Sequence, residues 1–313
     1  MSSRCQPLGL LLFGALALAG PAAAAPDGGV GIPLSGDVFD GSGGPLLAGL
    51  TYEAIGNLRV PPGETLTVQA GVTVCFLGVE LLDVDGTLDV NGTAAEPVTF
   101  TSGAAVPAPG DWRGVFFDLG SDASDVEHLV VRFGGLNSAS GIELDQANPS
   151  LRNVTIRDCL ADALELDGNS SGATVSDCSF LDNGGLAVDG VSIEAVPNFT
   201  NNTASGNAGG NYLHVTDATV PAVALTIGPQ NVLEGALVVF GTLIVPGGAT
   251  LTLEAGTVIK WENAVTSLSA TGDLFVNGTA GSPVVFTTFA DDAFGGDTNG
   301  DGPSAGSPGA WRG

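Results

Sequence analysis

Basic residues are nearly missing from this chain. Eight Lys and Arg stand against 34 Asp and Glu in 313 residues, a net charge of −26, and Lys260 is the one lysine. So acidic a surface is repelled by phosphate backbones and anionic bilayers, so no nucleic-acid partner is expected. It suits solubility and the collection of cations. Helical spacing is also missing: past the first 25 residues, apolar positions do not recur at three and four over a useful length. There is no second long apolar run, so no membrane span is expected in this fragment. No Ser–His–Asp order, zinc spacing or phosphate loop stands out either.

The one apolar run that exists reads as a processing signal, residues 1–25. Arg4 supplies the positive end, "LGLLLFGALALAG" the core, and "AAAA" before Pro26 the small residues for cleavage near Ala25. The expected location is therefore secreted or cell-surface. Cysteine is scarce, four in all. Cys5 would leave with the signal; Cys75, Cys159 and Cys178 remain, and an odd number cannot all pair internally. Cys159 with Cys178 is the one plausible couple. The competing reading is that Cys178 is a small apolar core residue.

Glycine, by contrast, is abundant (48), and the chain repeats itself. "VPPGETLTVQAGVTVCF" from Val60 returns as "VPGGATLTLEAGTVIKW" from Val245. "VNGTAAEPVTFTS" from Val90 returns as "VNGTAGSPVVFTT" from Val276, and "DWRG" around Trp112 as "AWRG" around Trp311. This divides the mature chain into a Gly/Asp-rich lead or N-terminal cap (26–44), a first module (45–227) and the start of a second (228–313). The second copy breaks off before its later part, as expected of the front of a longer protein. Trp112 and Trp311 sit in a repeated strand-entry phrase, which favours packing over sugar stacking.

A shorter period runs inside the module. Apolar residues alternate in short runs, Leu66/Val68, Val72/Val74/Phe76, Leu88/Val90 and Val98/Phe100, broken by Gly, Asn-Gly and Pro. Then Leu129, Val154 and Cys178 recur at steps of 25 and 24 residues. A second strand follows each, with Ile142/Leu144, Leu164/Leu166, Leu186/Val188 and Leu213/Val215 facing in. Units of about two dozen residues cannot bury an apolar side alone but can when stacked one coil on the next. Gly, Asn and Asp fall at the corners, where positive φ is needed; His128 reads as a surface or turn residue. The motifs "LTVQAGVTVCF", "GTLDVNGTAAEPVTFTS", "GDWRGVFF" and "VTIRDC" resemble the bacterial secreted or surface right-handed parallel β-helix repeat proteins, the pectin-lyase-like fold group. The fold class is thus all-β, a right-handed parallel β-helix (β-solenoid) with a C-terminally truncated second module. A β-sandwich array fits the 24- to 25-residue register poorly.

Two places can carry chemistry. "DDAFGGDTNGDG" (Asp291 to Gly302) lies in an insertion: nine residues separate Ser102 from Trp112, but twenty-two separate Thr288 from Trp311. Asp297, Asn299 and Asp301 followed by Gly302 match the start of a calcium loop, where a sharp turn aims oxygens at a hard cation. Pro308 replaces the closing Glu, so Asp291 or Asp292 would substitute. Ca²⁺ is the expected cofactor, a reading the resemblance also supports, and a polar surface loop the competing one.

The second place follows from the register. Residues between inward ones point outward, predicting a column Glu143–Glu165–Ala187–His214 with its two carboxylates one strand spacing apart. Arg132 and Arg157 should stack likewise, with Asp158 beside one of them. If the chain is an enzyme, Glu143, Glu165, Arg132, Arg157 and Asp158 are its candidate catalytic residues: a carboxylate pair suits glycoside hydrolysis, and a base with cations suits a lyase. The clustered Asp motifs of polygalacturonases are absent. Asn91, Asn153, Asn198, Asn201 and Asn277 begin sequons, and matching "NGT" turns explain Asn91 and Asn277 without a sugar. The function expected first is a non-catalytic, adhesin-like scaffold, calcium-stabilised, with a polysaccharide or cell-surface glycan as partner. The alternative is a polysaccharide lyase or glycoside hydrolase.

Overall fold

The structure is a computed structural model that describes residues 31–263 and 265–312; the expected processing signal (1–25) lies outside them. The chain winds as a parallel solenoid of about 11 turns. Among the described residues there is no α-helix, only three short 3₁₀ turns, and no helix long and apolar enough to cross a membrane.

Through the first half, each coil contributes one strand to each of three faces. The first face stacks Thr65–Gln69, Thr87–Asn91, Asp125–Glu127, Ser150–Arg152, Thr174–Ser176 and Phe199–Thr200. The second runs from Thr73–Phe76 through Val98–Ser102, Leu129–Arg132, Thr155–Arg157 and Ser179–Leu181 to Thr203–Ser205. The third is the longest. It climbs from Leu81–Val84 through Gly114–Phe117, Ile142–Asp145, Leu164–Asp167, Leu186–Ser192 and Gly210–Asp217 to Leu237–Val239, Val258–Trp261 and Val285–Thr288. Ile32–Asp37 lies parallel on Thr51–Val60 below them.

The pairing is in register, so like sits on like. Leu129 stands over Val98 in the second face, and the matching of Val130 with Thr155 and of Thr155 with Ser179 carries the file through Val154 to Cys178. All four are buried. A parallel file holds Phe100, Val131, Ile156, Phe180 and Ala204. Burying one such side chain stabilises by about 1.5–3 kcal/mol, and stacking repeats that gain at every coil.

The corners repeat too. His128, Asn153, Asp177 and Asn201 all take φ between 51° and 56° where the chain enters the second face. Phe133, Asp158, Asp182 and Gly206 take φ between 55° and 71° where it leaves. Asn, Asp and Gly tolerate this region, which is why they recur there. At the second corner, buried Asn side chains satisfy the turning backbone. Asn183 Oδ1 accepts from Cys159 N (3.0 Å) while its Nδ2 donates to Ile156 O (3.1 Å). Asn207 repeats this one coil on, with Asn183 N and Phe180 O.

Cys159 and Cys178 are free and buried, so the couple that sequence spacing allowed does not form. They follow different corner residues, Asp158 and Asp177, and so enter the tube at different edges. Burial pushes both thiols up to about 12.

The two modules share an aromatic cluster. Phe76 stacks on Trp112 (3.9 Å, 6°) with Phe100 edge-on at 6.4 Å. Trp261 stacks on Trp311 (4.5 Å, 9°) with Phe286 tilted at 5.9 Å. Trp112 is fully buried and its Nε1 donates to Arg132 O (2.7 Å), one coil on. The repeated phrases therefore carry packing. Their faces differ, however. Thr73–Phe76 lies in the second ladder, whereas its repeat, Val258–Trp261, continues the third through Leu237–Val239. Trp112→Ala should cost about 3–5 kcal/mol, the range for deleting a buried large aromatic. Urea denaturation followed by fluorescence tests this; a loss under about 1 kcal/mol would show that the stack does not hold the coils.

Candidate functional site

The outward side chains of the third face form one row along the tube. Arg59 neighbours Asp83, which neighbours Phe116, then Glu143, then Glu165. Glu143 and Glu165 are matched partners on adjacent strands, as their spacing implied. The next position differs from expectation: Glu165 faces Asp189, not Ala187. Ala187 is fully buried. Leu164 pairs with Val188, a step of 24 residues (188 − 164). Pairing Leu164 with Leu186 would repeat the 22-residue step that joins Ile142 to Leu164, but this coil is two residues longer. Gly190 (φ 74°) then lets the strand pass Leu166, whose carbonyl would meet a Cβ there at 2.0 Å.

His214 continues the row, with Nδ1 2.6 Å from Asp189 Oδ1 and Nε2 3.8 Å from Glu262 Oε1. Tyr212 and Phe240 meet its ring edge-on at 6.2 and 5.8 Å. Burial opposes its charge, but the Asp189 bond and the charges of Asp189, Glu262 and Asp162 outweigh it and raise its pKa. The same contact lowers Asp189. Glu143 is raised by burial, then by Glu165 and Asp167, with Arg113 opposing. Glu165 is raised by burial and by Asp162, Asp189 and Asp167, although Ser140 Oγ donates to it at 2.8 Å. Asp162, raised chiefly by burial, accepts from Leu186 N–H. At the lower end burial and the neighbouring Asp118 push Asp83 up to about 6. Asp83, Asp85 and Asp118 converge there, and Arg59 reaches Asp85 at 2.5 Å.

Arg132 and Arg157 stack on the second face, and Asp158 joins both. Its Oδ2 lies 3.1 Å from Arg132 Nη2 and 2.9 Å from Arg157 Nε. Asp182 adds a contact at 3.5 Å, so the two cations are already compensated. Neither arginine is among the groups that shift Glu143 or Glu165. The five candidate catalytic residues thus form two clusters on different faces.

The Asp-rich insertion folds back over the upper third face. Val238 and Lys260 occupy outward positions of the row, yet both are fully buried. Phe289 packs edge-on against Tyr212 at 5.5 Å. Lys260 Nζ donates to Gly296 O (2.7 Å) and Thr298 Oγ1 (2.8 Å). Burial lowers the pKa of Lys260, while Asp292, Asp291 and Asp297 pull it back. Asp292, Asp297 and Asp301 each bring an oxygen within 4.8 Å of the others. Asp292 Oδ1 is buried without a partner, while its Oδ2 accepts from Ser304 N (2.6 Å). Hard, closely set oxygens with one unsatisfied lone-pair site fit Ca²⁺. Asp291 is held aside by Thr287 Oγ1 (2.5 Å), and Asn299 Nδ2 donates to Asp301 Oδ2 (2.9 Å). Of the five residues expected to ligate, three converge.

Spacing arguments passed over Asp162, Asp189, Tyr212, Glu262 and Lys260. The 24-residue step applied to Glu165 points to Asp189. Nothing local marks Lys260 except that it replaces Cys75 of the first copy.

Among protein families, the chain matches a pectate-lyase like β-helix domain over residues 45–139 and a right-handed β-helix region over 115–225. No curated protein and no solved structure matches it.

Glu143, Glu165, Asp162 and His214 all hold protons more tightly when folded. Where the native state binds more protons than the unfolded chain, stability falls as pH rises. The carboxylates act from about pH 4 up through their raised values, and His214 from about 6.5 upward. Asp189 acts oppositely, its contribution disappearing only as pH falls through its lowered value. Thermal midpoints should therefore decline from about pH 5 to about pH 8, and less steeply in His214→Gln. A flat profile, or one unchanged by the substitution, would contradict this.

Proposed function

Because its matched residues, 45–225, make this chain a pectate-lyase-like, right-handed parallel β-helix protein, we propose that it is a non-catalytic extracellular or cell-surface scaffold. It presents a long, flat, acidic face to a polysaccharide or other cell-surface glycan, in an adhesin-like role, and calcium in the Asp-rich loop stiffens it. The observation that carries this reading is the separation of the charged groups. Glu143 and Glu165 lie in one ladder, while Arg132 and Arg157 lie in another and are bound to Asp158. A lyase needs free cations to hold substrate carboxylates beside its base; Arg132 and Arg157 lie on another face and are bound, which leaves Arg113, stacked on Phe116 at 5.0 Å, as the arginine beside Glu143. His214 Nε2 is buried, so it is out of a substrate's reach as a general base. The leader-like first 25 residues support export.

One observation favours the second reading, a polysaccharide lyase or glycoside hydrolase: Glu143 and Glu165 are in-register neighbours with raised pKa values. Protein incubated with a panel of acidic and neutral polysaccharides should yield no new unsaturated or reducing ends. Turnover that disappears in Glu165→Gln would replace the scaffold reading with the enzymatic one.

Calorimetric titration should detect Ca²⁺ binding that is lost when Asp297 and Asp301 are both changed to Ala. Binding that survives the double substitution would refute the loop as the site.

A further inference from the structure

The insertion and the lone lysine belong together. By the repeat, Lys260 occupies the position of Cys75, and the connection that follows grows from nine residues (103–111) to twenty-two (289–310). Lys260 is the copy with the long connection, and it is fully buried beneath it. Its ammonium spends two donors on the loop itself, on Gly296 O and Thr298 Oγ1. Thr298 Oγ1 in turn donates to Phe289 O (3.0 Å), closing the loop's base. Gly295 and Gly296, both at positive φ (70° and 73°), let the backbone descend onto this strand. A Cβ on Gly295 would lie 2.6 Å from that of Ala236.

We propose that Lys260 is the positioning residue of the Asp-rich loop: it seats residues 289–310 on the third face so that Asp292, Asp297 and Asp301 converge. Its purpose in cation binding rests on the calcium reading above; its seating of the loop does not. A lysine suits the task because its long stem crosses the apolar strand surface while its tip supplies several donors to backbone and hydroxyl acceptors. Without it, each cation bound would first have to order the loop, which lowers affinity. The ammonium also repels a nearby cation. Ordering outweighs that single repulsion because the charge is already engaged with the loop and with Asp291, Asp292 and Asp297.

The test is hydrogen exchange of the full chain in calcium-free buffer, with Ca²⁺ calorimetry alongside. Lys260→Met keeps the length and apolarity of the stem. It should speed exchange across 289–310 by about tenfold or more, leaving Leu129–Arg132 and Thr155–Arg157 unchanged. It should also weaken Ca²⁺ binding by about tenfold. Lys260→Arg, which keeps charge and donors, should restore part of both. Thr298→Val removes one acceptor without touching the lysine and should give the same changes, smaller; it serves if Lys260→Met does not fold. Unchanged loop exchange in these variants overturns the proposal, whatever calcium does. Faster exchange with equal or tighter Ca²⁺ binding overturns the link to the cation. If the unaltered protein binds no Ca²⁺ but Lys260→Met still frees the loop, the calcium reading fails and the seating role stands.

Discussion

In-register parallel stacking governs this molecule. Each strand bonds to its equivalents one coil above and below, so the spatial neighbour of a residue is the one about 24 positions away. That forces identical roles onto equivalent positions. An apolar residue must sit on another apolar residue, as from Val98 to Cys178. A corner must find a residue that accepts positive φ each time it comes round. A buried polar group must find its partner in the next coil, as Asn183 finds Asn207 at 2.8 Å. Unmet, any of these costs recurs at every coil, which is why the pattern is strict.

The same constraint explains the electrostatics of the outer row. Stacking sets like charges one strand spacing apart, a destabilising arrangement. The fold eases it in three ways. Glu143 and Glu165 hold their protons to higher pH. His214 lies among Asp189, Asp162 and Glu262, whose charges hold its proton to higher pH. Arg59 serves the same end beside Asp83 and Asp85. Past His214 the row is roofed by the Asp-rich insertion, and Lys260 supplies from below the charge that the loop lacks. An acidic row that must stay folded gains from each device.

Much of this was legible in the chain itself. The alternation, the corner residues, the Glu143–Glu165 pairing and the Arg132–Arg157 stack all follow from a repeat with two periodicities, because stacking converts sequence distance directly into position. Where legibility failed, it failed at irregularities. Asp189 was missed because the alternation Leu186/Val188 looked complete, whereas the strand buries Ala187 and Val188 together and turns at Gly190. In the Asp-rich loop the residue types were readable. That Asp291 and Asn299 bond to Thr287 and Asp301 was not.

The sequence by itself determined the all-β coil, its step and which side of most strands faces in, since those depend only on periodicity and local φ preference. Tertiary structure alone decided which ladder the second module joins, which way the insertion folds, and that the sole lysine lies beneath it. Those outcomes turn on contacts between segments tens of residues apart, such as Lys260 with Thr298 and Tyr212 with Phe289. No local preference encodes such contacts; the burial of one surface by another selects them.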